Sequence, residues 1–390
     1  MLQLSNRVNN LSESITIAVT SLAKKLKSEG KDILSFSAGE PDFGTPEKIK
    51  KSAIEALDQE FTKYTAVDGI VELKQAIQDK LKRDNNLDYS LNNIIVSNGA
   101  KHSLFNIFQS ILENDDEVII PMPYWVTYPE VVKYCGGSVS EILTTEETGF
   151  KITPHQLKEA ITEKTKAIIL TTPSNPTGSI YSKEELLALG EVLKDTNILV
   201  ISDEMYEKLT YEGEFTSVAS VSEDMFNRTI TVNGLSKSVS MTGWRFGYFA
   251  SPFDELSDAV RKLQSQSTSN INSITQKASI TGLSKDLDAD IEVMLKAFRE
   301  RRDLAVEQLN SIPNISVIKP AGAFYLFVNV SKVEKDSIEF SKKLLENKGV
   351  AVVPGIGFGM DGYVRMSFAT DLETIKKGIK RIEEFVSSYS

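Results

Sequence analysis

The run Ile94-Ile95-Val96-Ser97-Asn98-Gly99-Ala100 decides the fold that this chain is expected to adopt. Its apolar first half is typical of a buried strand, and its small residues form a turn that opens a helix with Leu104, Ile107 and Phe108 on one face. Similar apolar runs recur at Glu117–Pro121, Ala167–Thr171, Ile198–Ser202, Thr229–Val232 and Phe246–Ala250. Apolar strands that alternate with helices predict an α/β fold, with a mostly parallel sheet covered by helices on both faces.

The length of 390 residues exceeds the size at which one hydrophobic core usually stops growing, which favours two domains. The composition turns polar and charged around residues 284–290, and shorter apolar runs and helical patterns follow. We therefore expect a large domain at 46–285, a smaller α+β domain at 286–390, and an N-terminal segment at 1–45 that joins the small domain.

Composition narrows the class of protein. The formal charge of -10 and the pI near 5.1 argue against a nucleic-acid surface, because phosphate neutralisation needs clustered Lys and Arg. A single cysteine, Cys135, cannot form an internal disulfide, and His102 and His155 lack neighbours at metal-ligand spacing. No apolar run approaches membrane-spanning length, and polar residues interrupt 12–23. We expect a cytoplasmic protein without a metal, a membrane segment or a nucleic-acid partner.

Residues with catalytic potential follow the apolar runs. Because the carboxyl ends of parallel strands meet at one edge of a sheet, side chains just beyond them are expected to converge. Asp203 follows one run, and an aspartate at a buried strand end needs a cationic partner to offset its desolvation. Lys237 follows another, and crowding by Arg245 with partial burial would lower its pKa and free the amine as a nucleophile.

Two further strand ends complete the pattern. Gly99 and Ala100 open a helix whose free backbone N–H groups favour a phosphate, and Asn175-Pro176 stands in a rigid turn. Each feature taken alone is typical of an ordinary turn or a solvated surface. Together they predict a site for a phosphorylated pyridine aldehyde.

These residues belong to motifs that extend over essentially the whole chain. The motifs are 37–43, 63–73, 123–126, 175–178, 202–204, 236–245, 265–268, 320–325, 353–355 and 365–367. In them the sequence resembles the class I (fold type I) pyridoxal-phosphate aminotransferases, and most closely the subgroup Ib aspartate aminotransferases. The resemblance implies pyridoxal 5'-phosphate as cofactor, a ping-pong reaction, and a homodimer that shares its active sites across the interface.

The resemblance also assigns residues to the cofactor ring. Lys237 would bond to the aldehyde carbon and later move the proton at the substrate Cα. Asp203 would pair with the ring nitrogen and keep it protonated, so that the ring accepts electrons. Trp125 would stack on the ring face, and Asn175 and Tyr206 would bond to the 3'-oxygen.

For the cofactor phosphate, the resemblance implies a cradle made by Gly99, Ala100, Ser236 and Arg245. Tyr64 is expected to reach this phosphate from a second copy of the chain. Lys101, the next residue on the same helix, belongs to the cofactor site as well.

For the substrate, the resemblance implies a bidentate grip of Arg365 on the α-carboxylate. The full set implied at the substrate is Gly39, Trp125, Asn175, Arg365, Lys101 and Thr16. Lys101 and Thr16 match the residues associated in this subgroup with a second carboxylate, which favours aspartate or glutamate as amino donor to a 2-oxo acid.

Alternative functions remain on the same fold. Lys101 and Thr16 also resemble members that transaminate prephenate, so a prephenate or aromatic aminotransferase is the first alternative. A pyridoxal-phosphate-dependent β-lyase is the second. A cofactor-sensing transcription regulator would need a DNA-binding extension and fits the acidic chain poorly.

Overall fold

The computed structural model describes residues 2–388, which contain a large sheet of seven strands. The strands of this sheet are β2 Ile94–Ser97, β3 Glu117–Met122, β4 Ser138–Leu143, β5 Thr165–Thr171, β6 Leu199–Asp203, β7 Thr229–Gly234 and β8 Gly247–Ala250. Their spatial order is β2-β8-β7-β6-β5-β3-β4. The pairs from β7 to β4 are parallel, and β8 is antiparallel to both of its neighbours. The predicted α/β class with a mostly parallel sheet is confirmed.

Helices cover the sheet and extend beyond it. They are α1 Asn6–Asn9, α2 Ile15–Ser28, α3 Glu47–Asp58, α4 Val71–Asn85, α5 Ala100–Ile111, α6 Thr127–Tyr134, α7 Pro154–Ala160, α8 Lys183–Leu193, α9 Glu223–Arg228, α10 Asp254–Ser265, α11 Ser273–Gly282, α12 Asp288–Asn310, α13 Ser337–Lys348 and α14 Leu372–Ser388. Within residues 2–388, none of them is both long enough and apolar enough to cross a membrane.

Strand β5 shows why the central strands of the sheet have apolar side chains on both faces. Ala167 and Ile169 pack into one core, whereas Ile168 and Leu170 pack into another on the opposite face. All four side chains are buried. Because successive side chains of a strand point to opposite faces, a strand covered on both faces must be apolar at every position.

Two smaller sheets are formed mainly by strands after residue 310. One sheet has the order β12-β13-β10-β9, with β9 Ser316–Val317, β10 Tyr325–Asn329, β12 Val353–Pro354 and β13 Tyr363–Ser367. The other pairs β1 Leu34–Ser35 in parallel with β11 Val350–Ala351. This pairing joins the N-terminal segment to the C-terminal part, and it supports the division at 46 and 286, which we keep as a proposal.

Strand β4 was not among the strands predicted from the sequence. Its segment Ser138–Leu143 contains two serines and a glutamate, and most of its residues are at least partly exposed. Among the strands in residues 2–388 it pairs only with β3, and it lies at the sheet edge. An edge strand needs fewer apolar side chains than a central strand, so the apolar-run criterion missed it.

Candidate active site

A cavity of about 480 Å³ opens at the edge where the parallel strands end. Strand β8 runs the opposite way, so its beginning at Gly247 lies at this edge, two residues after Arg245. Helix α2 contributes to the other side of the cavity. The predicted residues that line it are Thr16, Gly39, Ala100, Lys101, Trp125, Asn175, Asp203, Tyr206, Ser236, Lys237, Arg245 and Arg365.

The start of helix α5 forms an end of the cavity suited to an anion. Its N-cap residue, Gly99, has φ of 85° and offers no side chain to the free N–H groups of the first turn. A Cβ atom on Gly99 would lie 2.4 Å from the Arg245 Nη2 atom, so only glycine lets the guanidinium approach this closely. Ser236 is buried nearby on the cavity wall. Helix N-terminus, hydroxyl and guanidinium together fit a phosphate group.

Asp203 is a buried carboxylate at the end of β6. Its Oδ2 atom accepts a hydrogen bond from the Tyr128 hydroxyl at 2.7 Å, and Oδ1 accepts one from the Met205 N–H at 3.2 Å. Burial raises the pKa of Asp203 above its usual range, despite these bonds. The carboxylate forms no ion pair with any residue in 2–388. A protonated ring nitrogen in the cavity would supply the missing positive charge.

Lys237 is half-buried and donates a hydrogen bond from Nζ to the Gly39 carbonyl oxygen. Desolvation lowers the pKa of Lys237 to about 8, against an opposing effect of Glu40; Arg365 and Arg245 lower it further. An amine with this pKa is partly neutral near neutral pH and has a free lone pair. Such an amine suits the tasks of a nucleophile and a base.

Three side chains surround the space between Asp203 and Lys237. Trp125 packs edge-on against Tyr128, with ring centroids 5.4 Å apart and planes at 86°. The Tyr206 hydroxyl is hydrogen-bonded to the Tyr325 hydroxyl at 3.0 Å, and burial raises the pKa of Tyr206. Asn175 lines the same wall and is also buried. The space is thus flanked by an aromatic face and by polar groups on its sides.

Arg365 is a buried guanidinium on strand β13, 2% exposed. Nη1 donates to Asn175 Oδ1 and Nη2 to the Ser37 carbonyl oxygen, each at 3.0 Å. The guanidinium carbon lies 4.3 Å from the centroid of the Tyr325 ring. Nε has no hydrogen-bond partner, and no carboxylate from the described part of the chain pairs with the group. A buried cation without an anion fits a substrate carboxylate.

Lys101 and Thr16 approach the cavity from α5 and α2. The Lys101 Nζ atom lies 4.9 Å from the Trp125 ring centroid, a cation–π contact. Desolvation in the cavity, and then the nearby Arg245, lower the pKa of Lys101. The Thr16 hydroxyl is hydrogen-bonded to the Ser14 hydroxyl at 2.8 Å.

The site residues predicted from the sequence and those observed in the structure differ at Tyr64 and Tyr128. Tyr64 is 90% exposed and is not part of the cavity wall of its own chain, so its contact with a second copy stays a prediction. Tyr128 binds Asp203 directly but was not predicted. The available signal was its position on the first turn of α6, three residues after Trp125, which directly precedes the helix N-cap.

Metal-binding clusters are absent from residues 2–388, where no group of three or more His, Cys, Asp and Glu side chains is arranged to hold an ion.

Comparison with known proteins identifies the family of this chain. The family model for aminotransferase class I and II matches residues 31–382. The chain is 48% identical to the aspartate aminotransferase of Bacillus subtilis (strain 168), with 100% of both chains covered. It is 44% identical to the aspartate/prephenate aminotransferase of Nitrosomonas europaea, covering 99% of this chain and 100% of the relative.

A solved structure extends the likeness to three dimensions. The aspartate aminotransferase of Thermus thermophilus with maleate superposes with a TM-score of 0.95 at 42% identity, over 98% of this chain and 100% of the other. The chain therefore belongs to the class I and II aminotransferase family, and the family predicted from the sequence is confirmed.

Proposed function

We propose that this protein is a pyridoxal-phosphate-dependent aspartate aminotransferase. It would take the amino group of aspartate or glutamate, release a 2-oxo acid, and pass the amino group to a second 2-oxo acid by a ping-pong mechanism. The observation that carries the proposal is one cavity with a low-pKa lysine, a buried unpaired aspartate and a buried unpaired arginine. These are the groups that amino transfer on a pyridine aldehyde requires.

The residues present fit pyridoxal phosphate at both ends. When bound, this cofactor supplies an aldehyde carbon for the amino group and a protonated ring that accepts electrons. Asp203 would hold the ring nitrogen, and Trp125 the ring face. The α5 N-terminus with Ser236 and Arg245 would hold the phosphate, and Lys237 the aldehyde carbon.

Proton transfer is the chemical task of Lys237. With the cofactor and substrate bound, the Lys237 amine would take the proton from the substrate Cα and deliver it to the cofactor's former aldehyde carbon within the same half-reaction, and it would move a proton in the opposite direction in the second half-reaction. Its pKa of about 8 suits this exchange, because the neutral and protonated forms are both populated near neutral pH. Burial around Arg365 and Asp203 keeps water from competing for that proton.

The assignment of a dicarboxylic substrate depends on two positively charged side chains of the cavity. Arg365 would bind the α-carboxylate with the help of Asn175 and the Gly39 backbone, and Lys101 with Thr16 would bind a second carboxylate. Several relatives are named aspartate aminotransferases, and one was solved with maleate, a dicarboxylate. Prephenate also carries two carboxylates, and relatives named for it support it as a second substrate.

The assignment is tested with the Lys237→Ala variant. We expect the purified wild-type protein with cofactor to transaminate aspartate with 2-oxoglutarate, and the variant to lose turnover of every amino donor. Lys24→Ala is the matched control, because Lys24 is an exposed lysine that lines the same cavity and is not among the residues assigned to the cofactor or the substrate. Turnover by Lys237→Ala at a near wild-type rate would exclude the mechanism.

Quaternary structure and location follow as further proposals. We infer a homodimer in the cytoplasm, with Tyr64 of each copy reaching the phosphate site of the other. The 90% exposure of Tyr64 supports a role outside its own chain. A Tyr64→Phe variant with wild-type cofactor affinity would argue against that contact.

A further inference from the structure

The segment from Asp203 to Glu207 presents two different faces. Asp203 and Tyr206 line the active-site cavity. Glu204 and Glu207 do not line it, yet both are buried, Glu204 completely and Glu207 with 7% exposure. Buried glutamates are rare and need a reason, because desolvation of a carboxylate is costly. The proposed mechanism assigns no task to either of them.

Glu204 binds to the protein through one oxygen only. Its Oε1 atom accepts hydrogen bonds from the Ser202 hydroxyl at 2.9 Å, the Ser217 hydroxyl at 2.7 Å and the Val218 N–H at 3.0 Å. Its Oε2 atom is buried and has no hydrogen-bond partner within residues 2–388. These bonds connect the residue after Asp203 to a separate turn that begins at Ser217. Rotation of the backbone at Asp203 would have to break them.

Glu207 is held in a different way, by a buried positive charge. It forms an ion pair with Lys80, and both side chains are about 5–6% exposed. The Asn85 Nδ2 atom donates to Glu207 Oε2 at 2.8 Å, and Lys80 Nζ donates to Asn85 Oδ1 at 2.7 Å. The charge of Glu207 is therefore balanced. Glu204 has no such counterion among residues 2–388, and the negative charge of Glu207 acts on it unfavourably.

Burial, and then the charge of Glu207, raise the pKa of Glu204 to about 7. The three hydrogen bonds on Oε1 favour the charged carboxylate, but burial and the charge of Glu207 outweigh them. The geometry needs a hydrogen-bond acceptor at Oε1 and tolerates a neutral group at Oε2.

We propose that Glu204 is a positioning residue that fixes Asp203 and Tyr206 at the cofactor through the three hydrogen bonds on its Oε1 atom, and that it needs no negative charge to do so. The inference rests on the proposed function, because Asp203 and Tyr206 are given their tasks there. Glu204 touches neither cofactor nor substrate. Its effect passes through the backbone of β6 and the turn that follows.

The test compares Glu204→Gln with Glu204→Ala in the full-length protein. Glutamine keeps a carbonyl oxygen for the three donors, so we expect cofactor dissociation constant and kcat within about threefold of wild type. Alanine removes the acceptor and leaves three buried donors, so we expect cofactor affinity and kcat to fall about tenfold or more. The KM for aspartate should change little in both, because Arg365 and Lys101 take part in none of the three bonds.

Glu207→Gln supplies the contrasting control in the same segment. There the amide leaves Lys80 buried without its anion, so we expect a clear drop in melting temperature that glutamine does not prevent. Glu204→Gln should melt close to wild type. Cofactor binding is measured by titration of the apoprotein with pyridoxal phosphate, followed by absorbance.

Two results would overturn the proposal: a Glu204→Gln loss as large as that of Glu204→Ala, or wild-type kcat and cofactor affinity in Glu204→Ala. If the alanine variant does not fold, Ser217→Ala removes one donor to Oε1, and it should reduce cofactor affinity in the wild type and in Glu204→Gln by the same factor. Failure of the proposed function is seen separately, as a wild-type protein that binds cofactor but does not transaminate aspartate.

Discussion

Lys101→Ala tests how the protein selects a dicarboxylic substrate. Lys101 lies on the first turn of α5 with its Nζ atom 4.9 Å from the Trp125 ring centroid, and it lines the same cavity as Arg365. The substrate would therefore lie between Arg365 at one end and Lys101 at the other. Removal of the ammonium group should affect only substrates with a second carboxylate.

The size of the effect follows from the surroundings of Lys101. Desolvation lowers the pKa of this lysine, but the side chain is exposed, so water screens part of its charge. After this screening, a hydrogen bond from the ammonium group to a carboxylate contributes about 1–2 kcal/mol. This corresponds to a loss of roughly 5–30-fold in kcat/KM for aspartate. Phenylalanine has no second carboxylate, so its kcat/KM should stay within about threefold.

The assay is steady-state transamination of aspartate and of phenylalanine with a fixed 2-oxo acid. Lys24→Ala is the matched control, since it removes the same charge from the exposed mouth of the cavity on α2. We expect it to cost aspartate far less than Lys101→Ala does. Equal losses for aspartate and phenylalanine in Lys101→Ala, or no loss for aspartate, would refute a role in binding the second carboxylate.

Two more predictions concern Lys237 and Arg365. The pKa of Lys237 falls from 10.5 to about 8 on folding, so the unfolded chain binds more protons between these values and stability rises with pH in that window. The Lys237→Met apoprotein should therefore have a free energy of unfolding about 3 kcal/mol above that of the wild-type apoprotein below pH 8, and this difference should disappear above pH 10.5. Urea unfolding of both apoproteins below pH 8 and above pH 10.5 measures the difference. An equal difference at both pH values would contradict the prediction. Arg365→Lys should lower kcat/KM by about 100-fold for aspartate and phenylalanine alike, because a lysine cannot form the bidentate grip, while the cofactor dissociation constant stays unchanged. A loss confined to aspartate would contradict the assignment of Arg365 to the α-carboxylate.

Sequence patterns predicted the features that depend on one helix or one strand alone. The capping box at Ser182 is an example, since both of its hydrogen bonds with Glu185 are present at the start of α8. The central strands were predicted for the same reason, because burial on both faces demands continuous apolar runs. Strand β4 was missed because its identity depends on its neighbour β3 rather than on its own composition.

The same distinction between local and long-range features applies to the active-site residues. Gly99, Asp203 and Lys237 could be placed from the sequence, because each lies at the end of an apolar strand or within three residues beyond it, and such ends meet at one sheet edge. The bond between Tyr128 and Asp203 joins residues 75 positions apart, and the bonds of Glu204 to the turn at Ser217 depend on how two loops pack. No local pattern encodes these distances.

The sequence by itself thus determined the family, the α/β class and most side chains of the cavity, because these depend on periodicity and on short motifs. Only the tertiary structure decided their state: a Lys237 with a lowered pKa, an Asp203 and an Arg365 buried without counterions, and a Glu204 bound through one oxygen. The physical reason is that desolvation and unpaired charge arise from everything that surrounds a group in space, which residues distant in the chain supply.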